Sequence, residues 1–363
     1  MKKIIALAVA SAVFVSFNAC KKSKKTEEEE LTPVAQSTLK KDVLNEVANN
    51  VIYATYADMA AKANILYSNC VNFAASSSAS DLAAAKQSWR DVRSAWEQSE
   101  GFLFGPVSVD NIDPRIDTWP IDFQRLDSVL ATSVPFNATY VDGLEESLKG
   151  FHPIEYLLFG QNGNKTESQF SAREKDFLIA LADNVKTLCD NAKSAWNPAT
   201  ANNYTSVYAN AGSGTIYPTV RSAYEETIDA MAGICSEVAN GKIAEPFNAV
   251  DASLEESPFA QNSLADFTNN IRSVQNVYLG KYIADGKGLE DLIKANNIAM
   301  DGAIKTKIAA AITSLNNITV PFGTAIQTSG GQRTQVQNAI NAINDLKNYL
   351  QNDVKAYLQT ITN

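Results

Sequence analysis

Histidine is nearly absent from this sequence: His152 is the only one in 363 residues. A zinc site of the H-E-x-x-H type needs two histidines one helical turn apart, so that class of hydrolase is excluded. The single histidine stands in a G-x-H-x-x-E string that ends at Glu155. Because imidazole and carboxylate groups often bind transition metals, this string is the first candidate for a functional site.

Cysteines and basic residues are also scarce. The four cysteines, Cys20, Cys70, Cys189 and Cys235, are too widely spaced for a metal-binding pattern, and the last three are predicted to be small buried residues of helices. Lysine and arginine number 31 against 40 acidic residues, which gives a net charge of −9. Nucleic-acid binding needs a basic face, so we expect no nucleic-acid partner. The acidity suits cationic ligands, although solubility explains it equally well.

A long apolar run occurs at the N terminus. Residues 1–19 contain two lysines and then an apolar stretch too short to span a bilayer comfortably, which predicts a cleaved export signal. Cys20 follows as in bacterial lipoproteins, where this cysteine is lipidated; the alternative is a secreted protein with an incidental cysteine. Residues 20–37 begin with a charged run and predict a flexible tether. We therefore expect an exported envelope lipoprotein, anchored by lipid to a bacterial membrane at the outer membrane, on its periplasmic or surface face.

The remainder of the chain has helical periodicity. Apolar residues recur at steps of three and four, and period-two alternation is nowhere sustained, so we predict an all-α fold. Helices are expected near 43–66, from Ser80 or Asp81 to about Phe102, and near 168–196, 218–241, 264–280, 287–316 and 334–361. We expect two helical-bundle halves, residues 38–245 and 246–363. Their similar layout suggests a duplication, although no residue-level repeat supports it.

Polar residues that could form a site occur on two predicted helices. Pro153 fits the first helical position, which makes His152 the cap and Glu155 the third helical residue. This pair could stabilise the helix end or converge on a metal ion. Glu97 and Glu100 share one helix face and repel each other unless a cation or proton lies between them; an ordinary pair of Glu97 with Arg93 is the alternative.

Two irregular segments, residues 101–123 and 243–262, are too long for simple bundle turns, and such loops often carry function. The first is rich in aspartate but lacks the glycine and glutamate of an EF-hand calcium loop. In the second, polar residues precede a helix that Ser263 can cap, and Asp266 and Asn270 follow within that helix. The predicted site-lining residues of these segments are Asp113, Arg115, Asp117, Trp119, Glu256 and Ser257.

Taken together, these strings resemble the imelysin family. The matching segments occur in family order between about residues 38 and 360: 96–106, 116–120, 150–155 and 255–270. The resemblance implies two bundle-like halves around a shared cleft, an association with iron uptake and an older metallopeptidase label. It also implies that His152 and Glu155 are the metal-binding pair, with Glu97, Glu100, Asp117 and Trp119 as neighbours.

The chemistry of these residues favours binding over catalysis. Zinc hydrolysis needs about three protein ligands, an open position and a general base, and Glu155 cannot be both ligand and base. A carboxylate-rich site with one histidine suits ferric iron better than zinc. We therefore expect an envelope-anchored protein that binds iron, another metal or a metal-bearing ligand, with iron-transport proteins as partners. A metallopeptidase and a non-catalytic scaffold or surface-interaction protein are the alternatives.

Overall fold

The structure, a computed structural model, describes residues 33–362, with side-chain surroundings from residue 36 onward. The expected export signal, Cys20 and most of the tether lie outside the described residues. Within the described range the chain forms helices and no strand, apart from an isolated bridge between Lys281 and Asp285. The all-α prediction is confirmed.

The helices are of very different lengths. The longer ones are α1 (Pro33–Glu46), α2 (Ala54–Ser76), α3 (Ala79–Glu97), α9 (Ala172–Trp196), α11 (Val220–Glu237), α13 (Ser263–Leu279), α15 (Ile298–Asn316) and α17 (Arg333–Tyr349). The shorter ones are α4 (Pro106–Val109), α5 (Ile112–Asp117), α6 (Phe123–Leu130), α7 (Ala138–Asp142), α8 (Phe151–Phe159), α10 (Tyr204–Ala209), α12 (Ala244–Ala249), α14 (Leu289–Asn296), α16 (Phe322–Ala325) and α18 (Lys355–Ile361). Short 3-10 turns span Glu100–Phe102, Glu146–Leu148, Glu167–Gln169 and Ala252–Leu254. π-Helical segments span Val47–Tyr53, Val238–Ile243 and Leu350–Val354.

The starts of α3 and α15 differ from the sequence prediction. Helix α3 begins after Ser78, whose side chain accepts a hydrogen bond from the Asp81 backbone N–H, so the predicted cap at Ser80 or Asp81 is wrong. The helix predicted over 287–316 is two helices because Asn297 leaves the helical conformation and caps α15 with its side chain. Both differences follow from side chains that compete for backbone donors at a helix end.

The helices pack in two groups that meet at α3. Helix α2 packs against α3 and α9, and α17 packs against α15 and α11. Helix α3 contacts both α8 and α13, so it connects the two groups. The boundary at residue 245 stays a prediction, and α11, which precedes it, packs against α18 as well. Cys70, Cys189 and Cys235 are buried, as predicted, and all three are free thiols.

Both irregular segments contain short helices and turns, and both reach the junction of α3, α8 and α13. The first contains α4 and α5, and the second contains α12 and one 3-10 turn. Among the described residues, every helix is too short or too polar to cross a bilayer.

Candidate functional site

The G-x-H-x-x-E string forms the start of α8, which begins earlier than predicted. Gly150 is the N-cap residue with φ of 84°, and His152 is the second helical residue, so the predicted cap role of His152 is wrong. A Cβ atom on Gly150 would overlap the carbonyl oxygen of Ile116 at the end of α5. Glycine therefore allows the close approach that places Asp117 beside His152.

His152 lies between two carboxylates in the interior. Its side chain is 1% exposed, with Nε2 3.1 Å from Asp117 Oδ1 and Nδ1 3.5 Å from Glu155 Oε2. Neither nitrogen makes an aligned hydrogen bond. Burial lowers the pKa of His152, but the two carboxylates outweigh it and raise the pKa to about 9. The imidazole is therefore protonated at neutral pH.

Arg93 is the centre of a buried ionic cluster. Its side chain is fully buried, and the guanidinium pairs with Glu97 and with Asp117. It also lies 3.2 Å from Glu256 Oε1 and 3.5 Å from Asp266 Oδ2. Burial would lower the pKa of Arg93, but these four carboxylates raise it well above its usual value. The pair of Arg93 with Glu97 considered from their spacing does form, as part of this larger cluster.

Asp117 connects Arg93 to His152. Its second oxygen accepts a hydrogen bond of 2.7 Å from the Trp96 indole N–H. Burial raises the pKa of Asp117, but Arg93 and His152 hold it well below the usual range. Asp117 is therefore an ionised carboxylate with fixed orientation at the inner end of a cleft.

Glu97 and Glu100, predicted to be neighbours, are held together by one amide. Asn270 Nδ2 donates to Glu97 Oε2 at 2.6 Å and to Glu100 Oε2 at 2.7 Å. Burial raises the pKa of both carboxyls well above the usual range, although Arg93 lowers that of Glu97 and Lys242 lowers that of Glu100. Burial therefore disfavours the charged form of both carboxyls, and each is stabilised by a neighbouring positive charge.

Carboxylate oxygens from distant parts of the chain converge here. Oxygens of Glu97, Glu100 and Asp117 all lie within 4.8 Å of one another, and the same holds for Glu97, Glu256 and Asp266. Glu97 belongs to both groups. Clusters of this size match the spacing of oxygen ligands around one metal ion.

A cleft of about 350 Å³ opens onto this cluster. Its lining residues are Glu100, Asp113, Pro114, Asp117, Thr118, Trp119, Glu237, Gly241, Lys242, Glu245, Leu254 and Glu256. The predicted site residues Asp113, Asp117, Trp119 and Glu256 thus come together at one cleft. Burial, followed by the charge of Asp117, raises the pKa of Asp113 to about 6.

Other predicted site residues lie elsewhere. Arg115 extends away from the cleft, where its guanidinium donates to Asp142 Oδ1 at 2.5 Å. Ser257 is fully buried and donates to Asp266 Oδ2 at 2.6 Å, so it supports the cluster from behind.

Sequence reasoning missed Lys242 entirely. It lies in the π-helical segment after α11, where no motif marks it.

The sequence did contain a signal for Asp266 and Asn270, which were predicted only to lie near the start of a helix. Together with Ser263 and Ser273, they recur at steps of three and four along α13 and so form a polar stripe on one face of the helix. All four of these polar residues are buried. Ser263 does not cap this helix as predicted, because Asn262 is the N-cap residue.

Glu255 should make the protein less stable as the pH rises. Burial raises its pKa to about 7 from 4.5, despite a hydrogen bond from Ser263 that lowers it. Because the folded-state pKa is raised, the stabilising contribution is complete below about pH 4.5 and is lost as the pH rises through 7. In Glu255→Gln, which mimics the protonated acid, the free energy of unfolding should exceed that of the wild type by about 1–3 kcal/mol at pH 8 and match it at pH 4.

Urea denaturation at pH 4 and pH 8 measures this difference. Glu146→Gln, at an exposed position, is the control and should change little at either pH. An equal effect of Glu255→Gln at both pH values would contradict the prediction.

Comparisons with known proteins agree with the fold and with the family resemblance. The imelysin family model (Peptidase_M75) matches residues 52–350. The curated relative "Iron-regulated protein A" of Synechococcus elongatus is 31% identical over 317 residues, which cover 85% of each chain. Among solved structures, a Parabacteroides distasonis protein described as an iron-regulated protein A precursor has a TM-score of 0.79 at 27% identity, covering 90% of this chain and 95% of that chain. An imelysin-like protein from Psychrobacter arcticum, at 13% identity, shares the fold with a TM-score of 0.72 over 89% of this chain and 96% of its own.

Proposed function

This chain belongs to the imelysin family, and on that premise we propose that it binds iron, or another multivalent metal cation, as cargo in iron uptake. The observation that carries the proposal is the convergence of Glu97, Glu100 and Asp117, whose carboxylate oxygens lie within 4.8 Å of one another. Carboxylate oxygens are hard ligands, which suit multivalent cations such as iron. The relatives named as iron-regulated proteins support iron as the cargo.

The state of Glu256 supports a cation at this position. Its side chain is 7% exposed and lines the cleft, yet Oε2 has no hydrogen-bond partner. A buried acceptor without a partner costs free energy, which a bound cation would offset. Glu256 also belongs, with Glu97 and Asp266, to the second group of converging carboxylates.

The charge of the cleft favours a hydrated cation over an anionic chelate. Its lining contains six carboxylates and one ammonium, and no arginine. Such a surface attracts cations and repels anions of the citrate type. We therefore propose that the metal reaches the site without an anionic carrier.

His152 and Glu155, which the sequence predicts as metal ligands, lie behind Asp117. Neither belongs to the two groups of converging ligand atoms, and a protonated imidazole must lose its proton before it can bind a metal ion. We propose that His152 acts as a positioning residue, which orients Asp117 toward the cargo. A peptidase would instead need a metal with an open position and a free base at this motif.

The proposed location is the bacterial cell envelope. The export-like residues 1–19 and Cys20 support it, as does the description of the P. distasonis relative as a precursor. A lipid anchor in the outer membrane and iron-transport proteins as partners complete the proposal.

Calorimetric titration of the full-length protein tests this function. Ferrous iron under nitrogen and zinc should each bind saturably with one ion per chain, whereas ferric citrate should bind more weakly than either. No saturable binding of any metal would contradict the proposal. Cleavage of a peptide mixture that depends on bound metal would favour the peptidase.

His152→Ala should weaken metal binding by about 10–100-fold without abolishing it, as expected when a residue that orients a ligand is lost. Arg115→Met, outside the cleft, is the control and should bind as the wild type does. Complete loss of binding in His152→Ala would show that His152 is itself a ligand. If the wild type binds no metal and His152→Ala lowers the stability of the fold, the scaffold alternative is favoured.

A further inference from the structure

Lys242 places a positive charge inside the carboxylate cluster. It lies in the π-helical segment Val238–Ile243, and its side chain is 12% exposed. Its Nζ atom is 2.9 Å from Glu100 Oε2, 2.8 Å from Glu256 Oε1 and 3.6 Å from Glu97 Oε2. The ammonium therefore binds carboxylates from separate segments of the chain at once.

These carboxylates are the ones that form the proposed cation site. Glu97 and Glu100 belong to one group of converging oxygens, and Glu97 and Glu256 belong to the other. An ammonium and a metal ion on the same oxygens would repel each other strongly at this separation. The cargo can therefore occupy the site fully only when Lys242 leaves it.

Lys242 is less enclosed than Arg93 and has a more flexible side chain. Arg93 is fully enclosed, and its planar fork is held by carboxylates on both nitrogens. Lys242 has a flexible four-carbon stem at the cleft wall. A further carboxylate on the solvent side, Glu237, is 60% exposed and lies 3.7 Å from Nζ.

We infer that Lys242 is a tethered counter-cation of the site, which a multivalent cation displaces toward Glu237 and Glu245 at the mouth of the cleft. The inference rests on the proposed cation-binding function. When no cargo is bound, the ammonium reduces the repulsion among Glu97, Glu100 and Glu256. When cargo binds, its higher charge replaces the ammonium on the same oxygens.

Displacement of a lysine makes the site selective for charge. A sodium or potassium ion carries no more charge than the ammonium, which its tether holds at a high effective concentration. A divalent or trivalent ion gains more from the same carboxylates. Lys242 therefore excludes the abundant monovalent ions and admits multivalent ones. The selectivity arises because every ion must compete with the lysine for the same carboxylates.

The first test compares the full-length wild type with Lys242→Met and Lys242→Gln by calorimetric titration with zinc and with ferrous iron under nitrogen. Both variants should bind these ions at least tenfold more tightly. Their affinity should also be lower in potassium chloride than in tetramethylammonium chloride of equal ionic strength, whereas the wild type should show no such difference. Lys305→Met is the matched control, since Lys305 pairs with Glu290 and Asp301 away from the cleft.

The second test needs no variant, so it holds even if the substitutions impair folding. Acylation of Lys242 by an N-hydroxysuccinimide ester is measured by mass spectrometry with and without saturating zinc. Displacement should increase the modification of Lys242 several-fold and leave that of Lys305 unchanged. Equal protection of Lys242 in both conditions would overturn the inference.

The outcomes separate the inference from the proposed function. If the wild type binds metal and the variants bind no more tightly, the inference is wrong and the proposed function stands. If only the variants bind, the cations do not displace Lys242 from the carboxylates, and both the inference and the proposed function are wrong. If neither binds zinc or ferrous iron, both are overturned.

Discussion

Arg93→Met should lower the free energy of unfolding by about 3–5 kcal/mol, because removal of one partner from a buried ionic cluster leaves the opposite charges uncompensated. The guanidinium is fully buried. The carboxylates that would lose their partner are Glu97, Asp117, Glu256 and Asp266. Urea denaturation at pH 7, followed by circular dichroism, measures the change.

Arg115→Met is the matched control for this prediction. Arg115 also pairs with an aspartate, Asp142, but its side chain is 26% exposed and that of Asp142 is 45% exposed. Exposed pairs contribute about 0–1 kcal/mol, so this variant should lose no more than that. Similar losses in the two variants would show that the cluster around Arg93 is not held by charge pairing.

Glu97→Gln should reduce the affinity for ferrous iron and zinc at least 100-fold, which is the largest binding effect expected. Glu97 is the one residue common to both groups of converging oxygens. Since each tenfold change in affinity corresponds to about 1.4 kcal/mol, loss of one charged ligand readily produces this effect. Calorimetric titration of the full-length protein measures it.

Glu97→Gln should still fold, because glutamine has the same shape as glutamate, but it removes one charged partner of the buried Arg93 and should lower the free energy of unfolding. Circular dichroism of the variant should therefore show a folded helical protein before the titration. Asp301→Asn is the matched control, because Asp301 is also a buried carboxylate with a lysine partner but lies outside the cleft. If Glu97→Gln binds metal as tightly as this control does, the cation does not bind at the carboxylates around Glu97.

Local relations in the site could be read from the sequence. Arg93 and Glu97 are four residues apart, and His152 and Glu155 are three apart, which are the separations that bring side chains together on a helix. The same periodicity predicted the all-α fold. Where a prediction of this kind was wrong, as for the cap of α8, the close approach of Gly150 to Ile116 decided the local conformation.

Relations across the chain could not be read from the sequence in this way. Arg93 and Glu256 are 163 residues apart, and Lys242 is 142 residues from Glu100. Arg115 and Asp117 share one short acidic segment, yet Arg115 leaves the cleft and Asp117 forms its inner end. No spacing rule distinguishes two such neighbours.

The sequence by itself determined the helices, the family motifs and the residue types of the site, because these depend on periodicity and on chemistry within a few residues. Only the tertiary structure decided that His152 lies behind Asp117 and that the Lys242 ammonium pairs with carboxylates such as that of Glu256. The physical reason is that the direction of a polar side chain depends on how helices from distant segments pack. The balance of charge in a buried site follows from that packing.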